Sequence, residues 1–417
     1  MSKQYSHQYD NGLALVAEEM SWLESAAFTL FVPAGCIYEP VDRSGLSGFN
    51  CEMLLRGAGD RDSRQFVDAL DCLGVERGES VSDAHTSFSG ATVGENLFDA
   101  LAIYADVIRR PHLPAEQIEA GRQVMLQELQ SVEDDPHHKL MVELRRRHFH
   151  APWGRANTGD QAGLEAVDIA DIGAFHRRYF RPSGTILGVA GRFDWPALRD
   201  HVGALLGDWP ARDEPLPSEG PRGEKSAHVH LDTNQTQIGI AYASVPYRDP
   251  QYFQAWGAVG ALSGGMSSRY FTEVREKRGL CYSVYASYYT LRDRGAVISY
   301  AGTSAERAQE TLDVMLAELA RLADGVQERE LERLKARIKS SLIMQQESSS
   351  ARSGAVARDW YHLGQVRTLA ELGQLVDDLS CASINEYLAA HPPRDFTIVT
   401  LGPRPLETPD RVSSARA

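Results

Sequence analysis

The sequence predicts an α+β protein made of two tandem homologous repeats, each an antiparallel-rich sheet covered by helices. Three observations carry that prediction. The order of strand-like and helix-like segments in the first half recurs in the second, which is the signature of internal duplication. The stretch WPARDEPLPSEGPRGEK, rich in proline, glycine and charge and poor in apolar residues, reads as a linker between near-equal halves. A chain of 417 residues is also too long for one small core and carries enough apolar residues to bury two. These place a first repeat over 1–209, a linker over 210–225 and a second repeat over 226–417.

The first repeat opens with YDNGLALVAEE and SAAFTLFVPAG, two strand-like runs rich in residues suited to a half-buried sheet. An apolar helix then follows the Pro40 to Ser44 turn, with Ser44 as N-cap and Gly57 as its stop. SRQFVDALDCLG sets Phe66, Leu70 and Leu73 on one face of a second helix that Gly74 ends. SVSDAHTSFSGATV alternates as a strand pair, and His85 within it reads as an ordinary strand histidine rather than a replacement ligand. LFDALAIYADVIRR is an amphipathic helix, and Pro111 and Pro114 punctuate before a long helical stretch that Pro136 breaks. KLMVELRRRHFH continues as a helix whose basic cluster, Arg145 to Arg147, reads as a solvated face. IADIGAFHRRYFRPSGTILGVAGRFD supplies a helix, a turn and a buried strand, and PALRDHVGALLGDW a closing helix.

The second half answers element by element. TQIGIAYASVP matches AAFTLFVPAG, and the helix-rich FQAWGAVGALSGGMSSRYFTEVREKRG matches the Gly45 region. CYSVYASYYT and AVISYAGTS match the strand pair around Ser80 to Val93, and AERAQETLDVMLAELARLADG matches the helix ending at Arg109. INEYLAAHPPRDFTIVTLG echoes FHRRYFRPSGTILGVAG, and the tail from Pro403 to Ala417, without a hydrophobic pattern, is expected to be loosely ordered.

A formal charge of −14 argues against a general nucleic-acid or anionic-membrane surface. No apolar run reaches the length of a membrane helix, and MSKQYSHQYDNG has no apolar signal core. Five cysteines, odd in number and without C-x-x-C spacing, read as reduced residues in a cytoplasmic protein.

The stretch Gly45 to Gly57, GLSGFNCEMLLRG, resembles the active-site helix of the pitrilysin/insulinase family of zinc peptidases, G-x-[AS]-H-x-x-E-H-M-x-[FL]-x-G. Aligning the glycines, Met53 and Arg56 puts Gly48 and Glu52 at the family's two metal-binding histidines and Cys51 at its catalytic glutamate. Residues four apart share a helical face, so two histidines can grip one zinc while the glutamate between them serves as base for the bound water. Gly48 offers no side chain, and a thiol at Cys51 cannot replace the carboxylate. The family's third ligand, a glutamate on a later helix, corresponds to Glu128 in VMLQELQSVEDDP. Without the resemblance, Glu128 is a solvated helix carboxylate and Cys51 a small buried apolar filler. A rebuilt metal site from Cys51, Glu52 and Glu128 is the weakest reading, because adjacent helical residues diverge and the ligand mixture suits no obvious metal.

SGGMSSRYFTEVREKRGLCYSVYA resembles a second pattern of that family, G-G-x-x-S-R-L-F-x-x-[VL]-R-x-x-x-G-L-x-Y, and is intact. The resemblance assigns substrate binding to Arg275 and Tyr282, which in the family face the zinc site across a chamber and hold the peptide backbone near the scissile bond. Their chemistry suits that role, since a guanidinium and a phenol present directed donors to an oxygen that gains charge during attack. Gly279 lets the chain turn between them. Taken alone, Arg275 is one member of a charged helical face. The glycines at 264 and 265 lack the Lys-Ser/Thr of a nucleotide loop and read as a tight turn or close packing.

The resemblance implies that the chain forms half of a clam-shell with a zinc-bearing paralogous peptidase subunit and a peptide substrate. It implies no metal and no independent catalysis in this chain, zinc in the partner, and no nucleic-acid or membrane partner. A proteolytically silent scaffold homologue is the alternative.

Overall fold

The computed structural model describes residues 3–213 and 215–408. Among these, the chain forms two compact units. The first draws on residues up to Ser131, Arg155–Glu219 and Ile343–Thr368, and the second on Val132–Gly154, Gly220–Leu342 and Leu369 onward.

The first unit contains a six-stranded sheet. Its strands are β1 (Lys3–Gln8), β2 (Ala14–Glu19), β3 (Ser25–Val32), β4 (Glu76–Val81), β5 (Thr86–Val93) and β6 (Ile186–Gly191), in the order β1-β2-β6-β3-β5-β4. All neighbours are antiparallel except β2 and β6. The second sheet has β7 (Ser226–His230), β8 (Gln235–Ser244), β9 (Cys281–Thr290), β10 (Gly295–Ser304) and β11 (Thr397–Gly402), in the order β7-β11-β8-β10-β9. Again one pair, β7 with β11, is parallel. Matching β2, β6, β3, β5 and β4 with β7, β11, β8, β10 and β9 superposes the two orders, so the duplication seen in sequence is a duplication of topology. The edge strand β1 has no counterpart in the second sheet. Its run KQYSHQ lacks an apolar stripe and has no fully buried residue, which hides it from a reading based on periodicity.

Each sheet buries one face against helices of its own unit. Leu46–Leu54, Leu97–Arg109, Ile169–Tyr179 and Trp195–Leu206 cover the first, and Tyr252–Ser263, Ala308–Ala320, Glu328–Gln345 and Cys381–Ala390 contribute to the core of the second. The other face takes a helix from the opposite half of the sequence. Ser349–Leu363 lies on β2, β3 and β6, while Pro136–His148 lies on β8 and β11. The contiguous spans 1–209 and 226–417 therefore each hold one sheet together with the helix that covers the other span's sheet. A sheet buried on both sides needs both covers, and here each cover is supplied by residues remote in sequence.

Side-chain chemistry fixes these exchanges. Arg352 donates to Glu18 through Nη2 at 2.5 Å and Nε at 3.0 Å, with both side chains 2% exposed. Thr29 and Ser353 hydroxyls meet at 3.0 Å beside that pair. Gly188 on β6 allows the close approach, because a Cβ there would lie 2.4 Å from the Ser353 carbonyl. On the second sheet, His148 from Pro136–His148 meets the Thr397 hydroxyl at 3.1 Å.

The tail is better anchored than its composition suggests up to residue 408. Leu406 packs on the second core and the Glu407 N–H donates to Gln309 at 2.8 Å. The rest of that expected loose tail, 409–417, lies outside the described residues.

Candidate functional site

The helix Leu46–Leu54 carries three of the four degenerate positions, and its start corrects the expected cap. Gly45, at φ +94°, is the N-cap, and Ser44 gives the helix no side-chain bond. The cap comes from Glu39 in the preceding loop, whose carboxylate accepts from the N–H groups of Gly45 (2.9 Å) and Ser47 (2.8 Å) and from the Ser47 hydroxyl (2.5 Å). Burial raises Glu39 to about 7 against the pull of those donors and of Arg155. The stop also differs: the helix ends at Leu55, and Gly57 instead pairs with Asp62 in a two-residue ladder.

Gly48 sits where the chain is closely packed. A Cβ there would lie 3.0 Å from the Met125 methyl and 3.2 Å from the Asn157 carbonyl. Glu52 is committed along its own helix, accepting from Arg56 at 2.7 Å, while Arg56 also donates to Gln117 at 3.2 Å. Cys51 is buried, and burial together with Glu79, Glu52 and Glu128 pushes its thiol up to about 12. Glu128 is exposed on the helix Ile118–Asp134. Burial first, and the three carboxylates after it, keep the Cys51 thiol protonated, the opposite of what a thiolate ligand needs. Among the described residues, no group of three or more His, Cys, Asp or Glu side chains is placed to hold a metal ion. The positions do not fit zinc, and no hydrolytic step can be derived through them. Glu79, unremarked in the sequence, lines this neighbourhood and accepts from Tyr104 at 3.0 Å and Arg77 at 3.0 Å.

His85 lies in the turn before β5 rather than within a strand. It is a core aromatic, with its ring 5.3 Å from Phe31 and 4.4 Å from Tyr361. In the basic cluster, Arg146 and Arg147 pair with Glu143, and Arg145 lies 5.7 Å from the Tyr289 ring.

The second signature lies wholly in the second unit, on two backbone irregularities. Phe271–Glu276 winds as a π-helix, with the Lys277 N–H bonded to the Thr272 carbonyl at 2.9 Å, five residues back. Gly279, at φ +59°, ends the turn, and its N–H returns to the Arg275 carbonyl at 3.0 Å. The register between β9 and β10 then slips between Cys281 and Ser283, leaving Tyr282 as the extra residue of a bulge. Tyr282 is 84% exposed. The Arg275 guanidinium lies 4.9 Å from the Phe271 ring and 4.8 Å from the Tyr282 ring, a cation over two π faces. No ion pair or hydrogen bond to its side chain occurs among the described residues. Glu273, two residues before Arg275, is taken by Lys277 (2.7 Å) and Arg278 (2.8 Å). The sequence pairs Arg275 with Tyr282 but overlooks Phe271, although the motif itself places an aromatic residue four before the arginine.

Two sheets of one topology, one beside a helix with Gly48, Cys51 and Glu52 at the metal-type positions and the other bearing the intact second motif, define a metallopeptidase-like chain. Residues 15–158 match the family model Insulinase (Peptidase family M16), and residues 166–338 match Peptidase M16 inactive domain. The chain belongs to peptidase family M16, the pitrilysin/insulinase family. It is 27% identical over 401 residues to an uncharacterized zinc protease of Mycobacterium tuberculosis, covering 94% of this chain and 91% of that relative. Its fold is similar to that of a peptidase M16 inactive domain from Pseudomonas fluorescens, with TM-score 0.86, 22% identity, and coverage of 98% and 99%. A chain of complex III2 from Candida albicans shares the fold at TM-score 0.81, with 19% identity and 95% of each chain covered.

Proposed function

We propose that this chain is the non-catalytic, substrate-holding subunit of a heterodimeric zinc endopeptidase acting on peptides, supplying Arg275 and Tyr282 to the zinc site of a paralogous partner. The observation that carries this reading is the contrast between the two signatures. One is packed shut, with Met125 and Asn157 against Gly48 and Glu52 tied to Arg56, whereas the other presents an uncompensated guanidinium beside an exposed phenol. Zinc belongs to the partner in this reading, and this chain binds none. Its own contribution is to orient the peptide and to donate hydrogen bonds to a carbonyl oxygen as that oxygen gains charge. The reading places the pair in the cytoplasm without a nucleic-acid or membrane partner, in keeping with five free cysteines and a formal charge of −14; no helix among the described residues is long and apolar enough to cross a membrane.

The test is peptide cleavage by the chain reconstituted with a partner carrying an intact H-x-x-E-H helix. Arg275→Ala is expected to lower turnover by about a hundredfold, the scale of one lost transition-state donor, and Tyr282→Phe to lower it less. Unchanged cleavage in both variants would favour the scaffold reading.

A further inference from the structure

We propose that Arg275, lying over the rings of Phe271 and Tyr282, is a carboxylate-binding group, and that the ligand it takes is the free C-terminal carboxylate of a peptide. The inference rests on the peptide-holding reading for where a peptide lies, and goes beyond it in naming which end is retained.

The geometry restricts what Arg275 can bind. The Phe271 and Tyr282 rings lie 4.9 and 4.8 Å from the guanidinium, whose N–H donors all point outward in its own plane and have no hydrogen-bond partner among the described residues. An in-plane fork matches the two oxygens of a carboxylate, and a charged acceptor bonds more strongly than a neutral amide oxygen. Among the described residues no carboxylate pairs with Arg275, and Glu273, on the preceding turn, is shared by Lys277 and Arg278. The exposed Tyr282 phenol adds a donor beside the fork. Phe271 is a positioning residue in this arrangement, because the π-helical turn sets its ring under the guanidinium.

Hydrolysis makes the consequence concrete. Water's oxygen bonds to the scissile carbonyl carbon, the C–N bond breaks, and the amine departs as an ammonium carrying both of water's protons, leaving a carboxylate where the carbonyl stood. Donors that held a neutral carbonyl then face a full negative charge. The fragment carrying the new C-terminus is held more tightly than the substrate was, and its release becomes a slow step.

The experiment uses the full chain alone and fluorescence anisotropy. Its probe is a fluorescein-labelled hexapeptide pool of neutral residues, prepared once as the free acid and once as the C-terminal amide. The free acid is expected to bind roughly five- to tenfold more tightly, the difference between charged and neutral hydrogen-bond acceptors. Arg275→Ala should abolish that preference and Arg275→Lys keep part of it. Phe271→Leu should weaken it, and Phe271→Tyr, which keeps a ring, should restore it. Equal affinities in the unmodified chain, no measurable binding of the free acid, or a preference that survives Arg275→Ala would overturn the assignment. Turnover of the reconstituted pair separates the two ideas. If cleavage depends on Arg275 while acid and amide bind alike, only the carboxylate inference fails. If the acid is preferred while cleavage ignores Arg275, only the subunit reading fails.

Discussion

Single residues decide what the first unit can do. Glu52 keeps the carboxylate that might have stayed a ligand, but its partner is Arg56, four residues on. A partly exposed pair at that spacing contributes about 0.3–0.5 kcal/mol. Glu52→Ala should therefore cost less than about 1 kcal/mol in chemical denaturation and leave zinc content, read by mass spectrometry, unchanged. Glu39 makes a second prediction. Its folded pKa of about 7 lies above the ordinary value of 4.5, so its contribution is complete below pH 4.5 and is lost as pH rises through 7. His148 and His176 act oppositely, since burial lowers both from 6.5 to about 4 and their contribution is lost as pH falls through that range. Glu39→Gln removes the falling component, so its melting temperature should rise more steeply between pH 4.5 and 6.5 than that of the unmodified chain. A flatter profile would mean that the three donors, not burial, set the titration of Glu39.

At the scale of elements, the covering helix Ser349–Leu363 depends on groups that close approach makes expensive to disturb. Glu18→Ala leaves Arg352 buried without its counter-charge and should cost about 3–5 kcal/mol, measured by denaturant titration. Gly188→Ala forces a methyl against the Ser353 backbone and should cost about 1–3 kcal/mol. A loss below 0.5 kcal/mol in both, on the scale of an ordinary surface change, would show that this helix is not held as described. Elements such as these also mark what a sequence reveals. Strands like AAFTLFV and TQIGIAYAS announce themselves because a sheet covered on both faces selects nearly continuous runs of β-prone, largely apolar residues. The exchange of covering helices does not, because Arg352 finds Glu18 across most of the chain and local periodicity says nothing about which sheet a helix will cover. The same limit hid Glu39, a loop carboxylate that caps a helix from outside it, and Phe271, whose stacking depends on a π-helical turn. Arg275 and Tyr282 were legible only because a whole motif surrounded them. As isolated residues they belong to a charged helical face and a tyrosine-rich strand.

For the whole molecule, duplication has given two sheets of one topology and let their functional helices diverge. The first unit retains the frame of a metal site with its ligand space filled, while the second retains polar donors without acceptors. The proposed division of labour assigns the metal centre to another chain. The most direct test is to purify the full chain by itself, measure bound zinc per chain, and assay cleavage of a broad peptide pool before and after adding a partner with an intact H-x-x-E-H helix. The account predicts far less than one zinc per chain and no cleavage alone, with cleavage appearing in the pair and depending on Arg275. One tightly held zinc per isolated chain, together with peptide hydrolysis, would contradict it.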